Sequence, residues 1–126
     1  MKETVTIKKN SEFRRIYSKG ANAATPLLVL YARKGRPGLP GRLGITVGTK
    51  VGKAVVRNTV RRRLREIYRL NRHRMRPEYD VIIVARVRSR TVGYASLERD
   101  FLKLADRLDL LVEDEKDTDL SGQGVS

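Results

Sequence analysis

The residues in this chain best suited to chemistry are its arginines. Between Arg57 and Arg76 there are nine (57, 61, 62, 63, 65, 69, 72, 74 and 76) against one acid, Glu66. A guanidinium is a planar fork that bonds two phosphate oxygens at once, stacks on bases and stays charged. Wound as a helix at about 100° per residue, the stretch gathers Arg57, Arg61, Arg65, Arg69, Arg72 and Arg76 on one flank. Arg62 lies at its edge and Asn58 among them. Beside the flank, Val56, Val60, Leu64, Ile67 and Tyr68 form an apolar stripe, the pattern of a core-facing surface. The stripe predicts a helix packed into a fold, and the flank predicts a positive field on a rigid support. Solvated helical faces usually mix signs. Like charges at i, i+4 cost roughly a few tenths of a kcal/mol per pair, which a polyanion offsets.

Residues for hydrolysis are scarce. The single histidine, His73, sits inside the arginine run, and residues 1–90 hold only Glu3, Glu12, Glu66, Glu78 and Asp80, without ligand spacing. Glu78 and Asp80 read as ordinary acids at a strand start. Neither a carboxylate cluster for metals nor a histidine-based acid–base pair can be drawn from these. There is no P-loop and no cysteine, hence no disulfide framework or thiolate site. No catalytic residue and no metal ligand is expected from the protein itself.

The 126 residues suggest one domain with one core, and the formal net charge of +14 makes nucleic acid the leading partner, with an acidic membrane surface second. The charge is uneven: residues 1–90 carry 24 Lys/Arg against 5 Asp/Glu, residues 91–126 only 4 against 9. The polyanion surface therefore belongs to the first two thirds. No apolar run approaches the ~20 residues of a membrane span, and MKETVTIKKN has no apolar signal core. An intracellular location is the default expectation.

Several elements must position these groups. Asn10 or Ser11 is expected to cap a short helix ending before Gly20, with Phe13, Ile16 and Tyr17 on one face. That face reads as docked core, or as part of a groove where aromatics stack on bases. Residues 27–33 and 42–48 read as strands around a turn-rich loop, KGRPGLPG. In the first, Val29 and Tyr31 share a face opposite Leu28 and Leu30. In the second, Gly44, Thr46 and Gly48 make a nearly bare face that another chain can approach closely. Lys50 and Lys53 flank the start of the arginine helix, and helix N-termini favour anions. Pro77 stops that helix. VIIVA at 81–85 reads as a strand covered on both faces, and Arg86, Arg88 and Arg90 follow in a loop. A last helix is expected over residues 94–112, with Leu97, Phe101, Leu104, Ala105, Leu108 and Leu111 as its stripe. The acidic tail, residues 113–126, is expected to be disordered, leaving residues 1–112 as one RNA-binding α/β domain.

GKAVVRNTVRRRLREIYR resembles the signature of the bacterial ribonuclease P protein component, whose helix carries an Arg-Asn-Arg core among basic residues. The flanks resemble it too: F-x-x-x-Y (Phe13, Tyr17), V-L-Y (residues 29–31), R-L-G-I-T-V before the signature and D-V-I-I-V-A-R after it. The resemblance covers roughly residues 5–111. It implies an α+β fold, a two-layer α/β sandwich of order αβββαβα. Its small mixed sheet would have a left-handed βαβ crossover through the arginine helix, and a fourth strand near residues 21–25. It also implies an accessory protein of a ribonucleoprotein endonuclease, cytoplasmic, inactive alone. The RNA subunit, with Mg2+, would cut the 5′ leader from precursor tRNA. By resemblance, Arg57, Asn58, Arg61, Arg62 and Arg65 bind the RNA subunit, and the basic neighbours Lys53, Arg69 and Arg72 are added to that set. Phe13, Tyr17, Val29, Tyr31, Thr46 and Lys50 fall at the leader cleft. Thr59 stands where the family has the second arginine of its core, so RNA binding is expected to persist with one interaction fewer. No DNA or membrane partner and no cofactor held by the protein are expected. The alternative is a structural ribosomal or RNA-assembly protein, which needs the arginine flank but no aromatic cleft.

Overall fold

The computed structural model describes residues 5–112. In chain order it has α1 (Asn10–Lys19), β1 (Ala21–Ala24), β2 (Leu28–Lys34), β3 (Leu43–Val47), α2 (Ala54–Asn71), β4 (Tyr79–Ala85) and α3 (Tyr94–Arg107). Short 3-10 turns occupy Thr49–Val51, Arg72–Arg74 and Val87–Thr91. This is the expected αβββαβα order, with the fourth strand where the resemblance put it. The acidic tail lies outside the described residues.

The strands form one mixed sheet in the order β1-β2-β4-β3. β2 pairs antiparallel with β1 and β4, while β3 runs parallel to β4, so β3–α2–β4 is the crossover unit. Side chains alternate across the sheet and divide two cores. Leu28, Leu30, Ala32, Val81, Ile83 and Ala85 face the main core beneath α2 and α3, with Val60, Leu64, Ile67, Leu97, Phe101 and Leu104. Ile82 faces the other way and packs with Ile7 and Ile16, joined by the half-buried Phe13, Tyr17, Tyr31 and Val84. Central β4 is thus covered on both sides, as its unbroken apolar run implies. Each large side chain fully buried here contributes about 1.5–3 kcal/mol.

Arg42 fastens α1 to the sheet. Its Nη1 bonds Glu12 Oε2 of α1 at 2.8 Å and its Nη2 bonds Asp80 Oδ2 of β4 at 3.0 Å, while its backbone N–H donates to Asp80 Oδ1 at 2.8 Å. Asp80 is therefore not the ordinary strand-start acid expected of it, because it is buried. Its carboxylate is tolerated in the interior because the guanidinium and an amide satisfy it. Glu12 is held below the usual carboxylate range, mainly by the hydrogen bond from Arg42.

Several expected boundaries move. Lys9 is the residue before α1 and makes no side-chain cap; Asn10 is already helical. Within the arginine stretch only Ala54–Asn71 is α-helix, and the chain tightens to a 3-10 turn at Arg72–Arg74 before Met75 turns extended. Arg86 precedes a 3-10 turn that contains Arg88 and Arg90, in place of the expected loop. α3 ends at Arg107 and not at residue 112. Asp109 adopts φ 59°, which reverses the chain; Leu110 is then buried, and Leu111 pairs with Met75. An apolar residue at the right spacing is satisfied here by a turn instead of by a helix.

Candidate RNA interface

α2 separates its apolar and basic side chains by face. Val60, Leu64, Ile67, Tyr68 and Asn71 are buried, which matches the last four of the five predicted stripe positions. Val56 is partly buried against the same core. Of the flank, Arg62 and Arg65 are exposed and Arg61 is half-buried, with its Nη1 donating to Asn58 Oδ1 at 3.0 Å. That bond orients the arginine and leaves the rest of its fork available. Arg57 donates through Nε to the Gly52 carbonyl at 3.0 Å, tying the start of the helix to the loop before it. Arg69 pairs with Glu66, whose carboxyl is held below its usual range by that hydrogen bond. Arg72 lies over the Tyr68 ring, 5.6 Å from its centroid, a cation–π contact. Lys53, at the boundary of α2, is exposed, and no acid occupies the first turn.

The nine arginines do not act as one surface. Arg63 reaches across to the Val92 carbonyl at 3.1 Å, Arg74 to Asn71 Oδ1, and Arg76 to the Asp109 carbonyl at 2.7 Å. Arg76 therefore leaves the flank on which the helical wheel put it, because α2 has ended by then. Thr59 turns its hydroxyl back onto the Val55 carbonyl at 3.1 Å.

The second candidate surface lies on the other side of the sheet. Sheet register sets Gly44, Ile82 and Tyr31 in one row and Thr46, Val84 and Val29 in the next, all on the face that α1 covers. Tyr17 hydrogen-bonds Thr46 through the two hydroxyls at 3.1 Å. Its ring meets Tyr31 edge-on at 4.8 Å between centroids and lies 6.2 Å from Phe13. Gly44 is bare for a local reason: a Cβ there would sit 2.7 Å from the Phe13 ring. The close approach foreseen from the sequence is thus taken, at that position, by the protein's own helix. Beyond it an open groove of about 280 Å³ remains, lined by Asn10, Phe13, Arg14, Tyr17 and Thr46. Phe13 and Tyr17 pack on the second core, as the docked-helix reading expects, and they also line the groove.

Val29 and Tyr31 are half-buried on the same sheet face but do not line this groove, and Lys50 is exposed in the 3-10 turn just after β3. Sequence reading missed Asn10 and Arg14. Both share a helical flank with Phe13 and Tyr17, so the period of α1 carried the signal. Among the described residues no group of three His, Cys, Asp or Glu side chains could hold a metal ion, and no helix is long and apolar enough to cross a membrane.

Comparison with known proteins places this geometry. The family model Ribonuclease P matches residues 1–109. The Ribonuclease P protein component of Natranaerobius thermophilus is 41% identical over 111 residues, covering 88% of this chain and 96% of that protein. That of Clostridioides difficile is 38% identical over 110 residues, covering 86% and 96%. Among solved structures, the Staphylococcus aureus RNase P protein superposes with TM-score 0.77 at 28% identity, covering 87% of this chain and 100% of the other. The Thermotoga maritima RNase P protein gives 0.72 at 27%, covering 86% and 98%. A Staphylococcus aureus mutant described as having defective mRNA degradation activity gives 0.76 at 29%, covering 84% and 89%. With the arginine-flanked α2, the aromatic groove under α1 and the αβββαβα order all in family sequence, the chain belongs to the ribonuclease P protein family.

Proposed function

We propose that the chain is the protein subunit of ribonuclease P, working in the cytoplasm to assist endonucleolytic 5′ maturation of tRNA. α2 holds the catalytic RNA through Lys53, Arg57, Asn58, Arg61, Arg62, Arg65, Arg69 and Arg72. The groove beside α1 takes the single-stranded 5′ leader of precursor tRNA, with Phe13, Tyr17 and Thr46 lining it, Tyr31 and Val29 behind, and Lys50 meeting backbone charge. The observation that carries this reading is the pairing of two unlike surfaces on opposite faces of one sheet. A protein that only scaffolds folded RNA needs the arginine flank and has no use for an open aromatic groove. Stacking on aromatics and lysine or arginine contacts to phosphate are how proteins hold single strands without regard to sequence.

Hydrolysis falls to the RNA subunit, with Mg2+ in the RNA-built active site; this protein contributes binding and positioning. The test is precursor-tRNA cleavage by a matched catalytic RNA at low Mg2+, with and without this protein: stimulation is expected, and its absence refutes the assignment. A parallel incubation of precursor tRNA with protein and Mg2+ but no RNA subunit is expected to give no specific cleavage. Because a Staphylococcus aureus relative is described in terms of mRNA degradation, an mRNA belongs in that incubation as well. Cleavage that copurifies with the protein would assign chemistry to this chain.

A further inference from the structure

α1 has a second flank. Opposite the aromatic groove, Glu12, Arg15 and Ile16 form one wall of a cleft of about 300 Å³. Its other wall is the end of β2 with the loop that follows, from Arg33 to Pro37, and Arg42 and Asp80 complete the lining. We propose that this cleft holds a phosphodiester group of RNA, as an anion site distinct from both the arginine flank and the aromatic groove. The proposal rests on the reading of this protein as an RNA binder.

Charge supports it first. Five cations (Arg15, Arg33, Lys34, Arg36 and Arg42) line the cleft against two acids. Both acids are already engaged by one of those cations, Arg42. Among the described residues, Arg15, Arg33, Lys34 and Arg36 have no side-chain hydrogen bond or ion pair to the protein. A recess with such a surplus repels a metal cation and focuses positive potential where a phosphate would sit. Three of the four free cations are arginines, whose forks match phosphate oxygens.

Rigidity supports it second. The loop after β2 is pinned at both ends to the segment entering β4: Gly35 N–H donates to the Glu78 carbonyl at 2.8 Å and Gly41 N–H to the Pro77 carbonyl at 2.6 Å. A Cβ on Gly41 would fall 1.8 Å from the Tyr79 carbonyl oxygen, so the chain lies flat against β4 there. Arg33 stands across from Asp80 in the β2–β4 register and is half-buried. The cations are thus set around a fixed hollow, which lowers the ordering cost of binding.

The test uses the triple variant Arg15→Gln, Lys34→Gln and Arg36→Gln, all exposed positions, so the melting temperature is expected to hold. In one arm, affinity for the RNA subunit is measured against salt. In the other, the assembled holoenzyme binds precursor tRNA with a leader and tRNA without one. The log–log salt slope is expected to fall by about one unit in one arm. A fall in the first arm assigns the phosphate to the RNA subunit; a fall in the second, for leader-bearing RNA alone, assigns it to the leader. Wild-type slopes in both arms overturn the cleft. Arg61→Ala with Arg65→Ala is the control. If that pair lowers the slope while the triple variant does not, RNA binding stands and the cleft alone fails; if neither does, the underlying reading fails with it.

Discussion

On α2, the residues that fold the protein and the residues proposed to bind RNA occupy different positions of one helix. Leu64 is fully buried and Arg65, its neighbour, is exposed. In the groove beside α1 the two tasks fall on the same rings: Phe13 and Tyr17 pack on the satellite core and also line the opening. A helix has enough circumference to divide labour between a stripe and a flank. A groove floored by half-buried aromatics does not. If the proposed sites hold, binding and stability are separable on α2 and coupled under α1.

The sharpest way to break that contrast is on α2. Leu64→Ala should cost roughly 2–5 kcal/mol of stability, since the side chain is fully buried. Arg61→Ala with Arg65→Ala should leave the melting temperature near wild type and weaken RNA-subunit binding. The log–log salt slope should fall by about one unit, or slightly less, for each phosphate that is no longer neutralised. A lowered melt in the arginine pair would show that α2 does not separate its faces.

Under α1 the expectation is mixed. Tyr31→Ala removes an edge-on partner of Tyr17 and should lower the melting temperature, an aromatic pair being worth about 0.5–1.5 kcal/mol beyond its area. By removing support from the Tyr17 ring that lines the groove, it should also weaken holoenzyme binding to leader-bearing precursor tRNA relative to leaderless tRNA, by less than the about 1–3 kcal/mol of a direct stacking contact. Tyr31→Leu keeps the apolar bulk and removes the ring face. Recovery of stability without recovery of leader preference would sharpen the coupling into two measurable parts. An unchanged preference for leader-bearing RNA in both variants would remove Tyr31 from the leader site.

Smaller effects follow from single polar links. Tyr17→Phe deletes the hydroxyl pair with Thr46 and should cost about 0.5–1.5 kcal/mol in chemical denaturation. Glu12 titrates below its unfolded value, so its contribution is fully present above that value, 4.5, and disappears as pH falls through the depressed folded value. Glu12→Gln should thus reduce the drop in melting temperature on acidification below pH 4.5. An acid limb identical to wild type would show that Arg42 holds α1 through packing alone.

The sequence exposes what is periodic and hides what is distant. The α2 stripe and the alternation in β2 and β3 are written in periods of about 3.6 and 2, so their faces are legible. β1 is four mostly exposed residues, Ala-Asn-Ala-Ala, with no alternation to read. It exists through its pairing with β2, and only resemblance located it. The Arg42–Glu12–Asp80 link joins residues 30 and 38 positions apart, beyond any local pattern. The end of α3 escapes the pattern because the apolar spacing runs on past the turn at Asp109. Of the groove, the rings are legible by type, while Asn10 and Arg14 require knowing which flank of α1 remains open.

The start of the described chain has a consequence for shelf life. Leu43 N–H donates to the Val5 carbonyl at 2.8 Å and Ile7 N–H to the Leu43 carbonyl at 2.9 Å, which lays residues 5–7 along the outer edge of β3. Ile7 is tucked into the satellite core and keeps this strap in place. Without it, Leu43 would add its unpaired backbone groups to the edge of β3, widening the opening for edge-to-edge aggregation with a second molecule. Mutual repulsion between highly positive copies guards against this at low salt and fades as salt screens it. Trimming the chain through Ile7 should therefore yield a protein that keeps in dilute buffer and precipitates in salt, the reverse of ordinary salting-in.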